Sequence, residues 1–133
     1  SLSGIELPRL SGACPKWNVY SSFSNPGKIS AAVSKMTDGE KYVCIARTVE
    51  KGISKYGEEK GLLSIGLGCQ IKYAKDFVYA DGLNLNDEKS ESKIGVSCRK
   101  CDRLDCSQRA FPPDTHNYDV NINQRGVSIF VNE

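Results

Sequence analysis

Two apolar runs, KYVCIARTVE at residues 41–50 and LLSIGLGCQI at residues 62–71, flank the polar, glycine-punctuated stretch KGISKYGEEKG. Both are of strand length and rich in β-branched or aliphatic residues, and the stretch between them reads as a loop or a long hairpin connection. A strand has a period of two, so each run has two readable faces. In the first, Val43, Ile45, Arg47 and Val49 share a face. An arginine in an apolar row needs a partner if it is buried. Arg47 therefore pairs with a carboxylate or carbonyls, sits at a sheet edge, or points into a cavity and meets an anion such as phosphate. In the second run Leu63, Ile65, Leu67 and Cys69 share one face, and Leu62, Ser64, Gly66 and Gly68 the other. Two glycines on one face leave the backbone bare, so a helix, a strand or a ligand approaches closely there; a packed helix is the commoner cause.

The remaining elements are read around this pair. Asn25-Pro26-Gly27 carries a capping residue and a proline suited to a first helical position, and Ile29, Ala32, Val33 and Met36 follow at helical spacing. A helix is expected there, closed by Asp38-Gly39. A second helix is expected from Lys72 to Ala80, and a solvated loop over LNLNDEKSESK. A last strand is expected over residues 126–131. Without regular alternation of strand and helix, the expectation is an α+β fold: an antiparallel sheet with flanking helices and a cysteine-rich, metal-binding loop.

A chain of 133 residues fits one domain, residues 1–133, able to bury a core without help from metal or disulfides. A net charge of +2, with no basic stripe, argues against nucleic-acid phosphates as the main partner. No apolar run reaches membrane-spanning length. The first residues lack a signal-peptide pattern, which points to the cytoplasm, and the opening Ser1-Leu2-Ser3 without an initiator methionine points to a fragment of a longer protein.

Half of the six cysteines fall in CRKCDRLDC, residues 98–106. A disulfide framework belongs to short secreted chains and does not suit this one. A redox pair at Cys98 and Cys101 lacks the thioredoxin-like setting and leaves Cys106 without a role. A structural zinc site needs a fourth ligand beyond Cys98, Cys101 and Cys106, with Cys69, Cys44, Cys14 and His116 as candidates. An iron–sulfur cluster is commonly held by three close cysteines and one remote one, which the spacing also fits. Arg99, Lys100, Arg103 and Arg109 lie among these cysteines and favour thiolates for either metal. Spacing and charge leave zinc and iron–sulfur level.

The blocks GACPKWNVYSSFSNPGKI, DGEKYVCIARTV, IGLGCQIKYAKDFVYADGL and IGVSCRKCDRLDCSQRAFPP cover most of residues 12–113. Together they resemble the C-terminal domain of the short-chain fatty acyl regulators, bacterial transcription regulators with an N-terminal helix-turn-helix. The last block, in which the cysteines run into Gln-Arg-Ala-Phe-Pro-Pro, is the most specific. The resemblance implies a sensor domain that binds coenzyme A or a short-chain acyl-CoA and a [4Fe–4S] cluster. It implies a homo-oligomer, a dimer or tetramer, and contact with DNA only through a domain absent from this chain. By motif, the cluster ligands would be Cys98, Cys101, Cys106 and, from Leu-Gly-Cys, Cys69; Cys14 of Gly-Ala-Cys-Pro is the runner-up. A cluster lost in air would leave empty thiols or zinc. Cys44, inside a strand, reads as a core residue.

An acyl-CoA pocket calls for cations on phosphate, aromatic rings, and bare backbone along the flexible arm. Arg47, Lys16 and Arg109, Trp17 with Phe23, and the Gly66–Gly68 face supply those types, and Trp17 and Phe23 read equally well as core residues. No P-loop, nucleophile elbow, HExxH or meaningful carboxylate pair is present, and a single histidine makes acid–base chemistry thin, so no enzyme is expected. The runner-up reading is a small zinc or cluster protein without CoA sensing.

Overall fold

A computed structural model describes residues 12–52 and 55–114, together with the backbone of 119–120 and 130–131. A one-turn helix α1 (Asn18–Ser21) precedes strands β1 (Ser30–Lys35), β2 (Lys41–Lys51), β3 (Gly61–Gln70) and β4 (Ser92–Lys93). These strands form one sheet in the order β3-β2-β1-β4. The short pair β5 (Asp119–Val120) and β6 (Phe130–Val131) forms a separate antiparallel ladder. The rest of the expected strand over 126–131, and His116, lie outside the described residues.

The expected hairpin is present. β2 and β3 pair antiparallel from Tyr42↔Gln70 to Lys51↔Gly61. The sheet is not purely antiparallel, because β4 joins β1 in parallel at Ser34↔Ser92 and Lys35↔Lys93. The architecture is therefore a small α+β fold on a mixed four-stranded sheet with little helix.

The helix expected over Ile29–Met36 is strand β1. A short apolar run fits either period, and tertiary pairing decides between them. β1 lies antiparallel to β2 from Ser30↔Ala46 to Lys35↔Lys41, so its backbone is satisfied along a long neighbour. Asp38-Gly39 is a hairpin turn rather than a helix stop. Gly39 has φ +90°, Met36 N–H donates to Glu40 O at 2.8 Å, and the Asp38 carboxylate accepts from Glu40 N–H at 3.0 Å. An Asp-Gly between apolar runs is a strong hairpin signal for this reason.

The helix expected over Lys72–Ala80 is two tight 3-10 turns, Ile71–Asp76 and Val78–Ala80. Phe77 between them is extended, at φ −109° and ψ 104°. The stretch expected to be wholly solvated delivers Glu91 into the protein, where its carboxylate is 2% exposed and paired with the Lys41 ammonium.

The alternation of β2 splits the core in two. On one face Val43, fully buried, packs with Ala74 and Ala80, joined by Cys69, Ile71 and Phe77. On the other, Tyr42 packs with Cys14, Met36 and Ile94, joined by Trp17, Cys44 and Val96. α1 covers this second face, fixed by Asn18 Nδ2 donating to Cys44 O at 3.0 Å and by a 2.7 Å bond between the Ser22 and Ser64 hydroxyls. The bare backbone of Gly66 is what admits α1: a Cβ there would stand 2.4 Å from Val19 Cγ1. A packed helix thus explains this glycine.

Gly66→Ala is expected to cost about 1–3 kcal/mol in urea unfolding by overpacking against Val19. Combining it with Val19→Ala should recover part of that loss, since the two sites share the same space. An additive double mutant would contradict the contact.

Candidate metal centre

Cys98–Lys100 form a 3-10 turn after the extended Ser97, and the chain then runs irregularly to Asp114. Such a loop has few ladder bonds to hold it, so side chains must satisfy its carbonyls. Arg109 supplies most of them. Its buried guanidinium donates to Cys98 O at 3.1 Å, Cys101 O at 3.1 Å, Phe111 O at 3.2 Å and Arg103 O. Arg103 ties the same loop to the sheet by donating to Lys35 O and Met36 O, both at 3.1 Å. Arg99 lies 3.8 Å from the Asp114 carboxylate and stacks over Phe111 at 5.1 Å.

These contacts give Gln-Arg-Ala-Phe-Pro-Pro a physical meaning. Its arginine holds the loop carbonyls, Ala110 N–H donates to Cys98 Sγ at 3.4 Å, and the Phe111 carbonyl closes the set. Arg103 and Arg109 donate to backbone carbonyls of this region, and Arg99 pairs with Asp114. Residue types alone do not reveal this.

Cys98, Cys101 and Cys106 line one small cavity, and the fourth cysteine lining it is Cys14. Cys14 arrives from the opposite end of the described chain, held by its N–H donating to Val96 O at 3.2 Å. Burial pushes the Cys14 thiol above its ordinary pKa; backbone hydrogen bonds with Gly95 and Lys16 pull it down, and Cys98 and Cys106 push it up again. Gly95 is a neighbour that sequence reasoning passed over. A Cβ there would meet Cys101 Sγ at 3.2 Å, so its bare backbone makes room for that thiol.

Cys69 lies elsewhere. It pairs with Val43 across the β2–β3 ladder and joins the cluster on the Val43 face, whereas Cys14 packs with Tyr42 on the opposite face. Burial raises its thiol pKa. Cys44 is half-buried against the Tyr42 cluster, its thiol also pushed up by burial, as suits a small core residue.

As placed, no three Cys, His, Asp or Glu side chains among the described residues stand close enough to hold a metal ion. The space among the four cysteines is about that of one water molecule. The donor set suits a thiophilic metal, and its thiols would have to turn inward to ligate one.

The residues expected to form an acyl-CoA pocket do not line one cavity within the described structure. Arg47 is exposed on the Val43 face, opposite Ile65, and none of the ion pairs among the described residues involves it. Gly66 and Gly68 belong to the other face, where Val19 already fills the space over Gly66. Trp17 packs against the Tyr42 cluster, Lys16 is half-buried beside Cys14, and Arg109 is committed to the cysteine loop. None of the helices among the described residues is long and apolar enough to cross a membrane.

Arg109→Lys is expected to destabilise the loop by about 3 kcal/mol, because one ammonium cannot reach four dispersed carbonyls and leaves buried acceptors unpaired. In native-state hydrogen exchange and thiol titration, residues 98–111 should open ahead of the sheet. Unchanged thiol reactivity would refute the stapling role.

Comparison with known proteins identifies the family of the chain. The chain is 39% identical over 133 residues to the HTH-type transcriptional regulator RamB of Mycobacterium tuberculosis, covering 98% of this chain and 28% of that protein. It is 39% identical over 127 residues to a propionyl-CoA carboxylase regulator of Cereibacter sphaeroides, covering 96% of this chain and 27% of that one. A solved structure described as a Mycobacterium tuberculosis transcriptional regulator superposes with a TM-score of 0.77 at 34% identity, over 90% of this chain and 36% of that chain. The chain thus spans a little over a quarter of the length of the curated relatives it matches. The model of the family described as "Short-chain fatty acyl coenzyme A regulator, C-terminal" matches residues 1–130, and the chain belongs to that family of transcription regulators.

Proposed function

We propose that this chain is the effector-sensing part of a bacterial transcription regulator. In this reading it binds coenzyme A or a short-chain acyl-CoA, holds a [4Fe–4S] cluster, and acts as a homo-oligomer in the cytoplasm. DNA contact belongs to a part of the regulator outside this chain, and no reaction is assigned to it. The observation that carries the reading is the gathering of Cys14, Cys98, Cys101 and Cys106 around one cavity in a loop stapled by Arg109. Three ligands close in sequence and one remote is a usual pattern for such clusters. Cys14 replaces Cys69 as the fourth ligand in this proposal, because the sheet separates Cys69 from the other three.

The cluster, when bound, would supply a redox- and iron-sensitive crosslink. The protein's own part is to present thiols in a desolvated pocket and to fix the loop that carries them. A second reading is one zinc ion on the same four thiols without CoA sensing, since a four-cysteine donor set also suits structural zinc.

For the acyl-CoA, the supporting feature is Arg47. It is a cation set among Ile45, Val49, Leu63, Ile65 and Leu67 on an open sheet face, a pairing suited to phosphate beside an apolar chain.

Anaerobic reconstitution is expected to yield about four iron and four labile sulfide per chain. Cys14→Ser should abolish cluster uptake and Cys69→Ser should leave it intact; the reverse outcome would restore Cys69 as the ligand. Stoichiometric zinc without sulfide would establish the second reading. In calorimetry, Arg47→Ala is expected to weaken CoA binding by about tenfold or more, the worth of one charge-assisted hydrogen bond. Unchanged affinity would remove Arg47 from the site.

A further inference from the structure

Residues 14–24 form a strap across one face of the sheet. Trp17 N–H donates to Cys14 O at 3.2 Å and Tyr20 N–H to Trp17 O at 3.0 Å, so successive turns run from Cys14 straight into α1. The strap then reaches β2 through Asn18 and β3 through Val19 and Ser22. One continuous piece of chain thus leads from the cysteine cavity to the middle of β3.

This strap is lightly held. A helix of one turn has no stability of its own, because nucleation costs more than its few hydrogen bonds return. Packing must hold it, yet none of the residues of α1 is buried. Within 14–24 only Cys14 and Ser22 are buried, a thiol and a hydroxyl, while Tyr20 is 44% and Phe23 43% exposed. The Trp17 indole Nε1 is buried without a hydrogen-bond partner among the described residues, which weakens the closed strap further. Few buried apolar contacts mark a segment that opens ahead of the rest. The other three cysteines, by contrast, sit in a loop pinned by Arg109 and joined to β1 by Arg103.

We propose that the strap is a latch: a metal held by Cys14 together with Cys98, Cys101 and Cys106 closes it, and an empty site lets it open. Ligation of Cys14 ties the lightly held strap to the pinned loop and closes a ring of chain that contains β1 to β4. A metal that binds only the closed arrangement shifts the balance toward it. Without metal, the strap is left to the hydrogen bonds of Cys14, Asn18 and Ser22 and the contact of Val19. Its opening bares Gly66 and the Cys44 carbonyl on the sheet. The inference rests on the thiol-centre reading above; it needs neither CoA nor a second copy.

Hydrogen exchange read residue by residue, with zinc ion as the probe, tests it. In the wild-type chain zinc is expected to slow exchange of the Tyr20 and Asn25 amides by about tenfold or more. Cys14→Ser should bind zinc more weakly through the loop thiols, slow exchange over 98–111, and leave those two amides unchanged. Cys69→Ser should behave as the wild-type chain does. Val19→Ala, outside the thiol centre, should quicken both amides in the metal-free chain while exchange across β2 stays as it was. A wild-type chain that takes up neither zinc nor a cluster would overturn the thiol centre, and the latch with it. Zinc bound through Cys14 with unchanged exchange in the strap would overturn the latch and leave the thiol centre standing. An undiminished strap response in Cys14→Ser would remove Cys14 from the ligand set and so overturn the latch by another route.

Discussion

The Arg109 guanidinium sits under an irregular loop and donates to carbonyls of Cys98, Cys101, Arg103 and Phe111. A loop of this kind has no ladder to satisfy its backbone, and a buried unpaired carbonyl is costly. One planar, permanently charged fork with five donors meets that need where a lysine would not. The position of three cysteines depends on it. Through Arg103, which bonds to the carbonyls ending β1, the loop is also fixed to the sheet. The loop that carries the cysteines is thus tied to the sheet and to itself by two arginines.

The sheet separates two kinds of surface. One face of β2 is covered by α1 and the Cys14 segment, and the cysteine cavity belongs to that side. The opposite face is covered near Val43 by the turns at 71–80 and is open from Ile45 to Val49 and along β3. Thiol chemistry and the exposed apolar surface with Arg47 therefore lie on opposite sides of one thin layer. A signal passing between them has only the strands to cross.

The β2–β3 hairpin, its register of faces and the core role of Cys44 were legible because strand alternation is a local property carried by the side chains themselves. The β1 strand was misread as a helix because Ile29, Ala32, Val33 and Met36 satisfy a helical period over too short a run. Only the open edge of β2 settles that ambiguity. Glu91 was misread as solvent-facing because its partner, Lys41, is fifty residues away in sequence. Gly66 was read with the right cause, helix packing, although which helix and which side chain were not accessible from composition.

The sequence by itself determined the thiol-rich loop, the strand pair and, through its motifs, the family. These rest on residue types and on spacings of a few residues, which local geometry preserves. Only the tertiary structure decided which remote cysteine lines the cavity with the other three, because loop closure in an unfolded chain would favour Cys69, the nearer in sequence, over Cys14. The sheet overrides that preference: a one-residue change of parity along β2 and β3 sends Cys69 to the Val43 face, while the Val96 carbonyl holds Cys14 on the face of Tyr42.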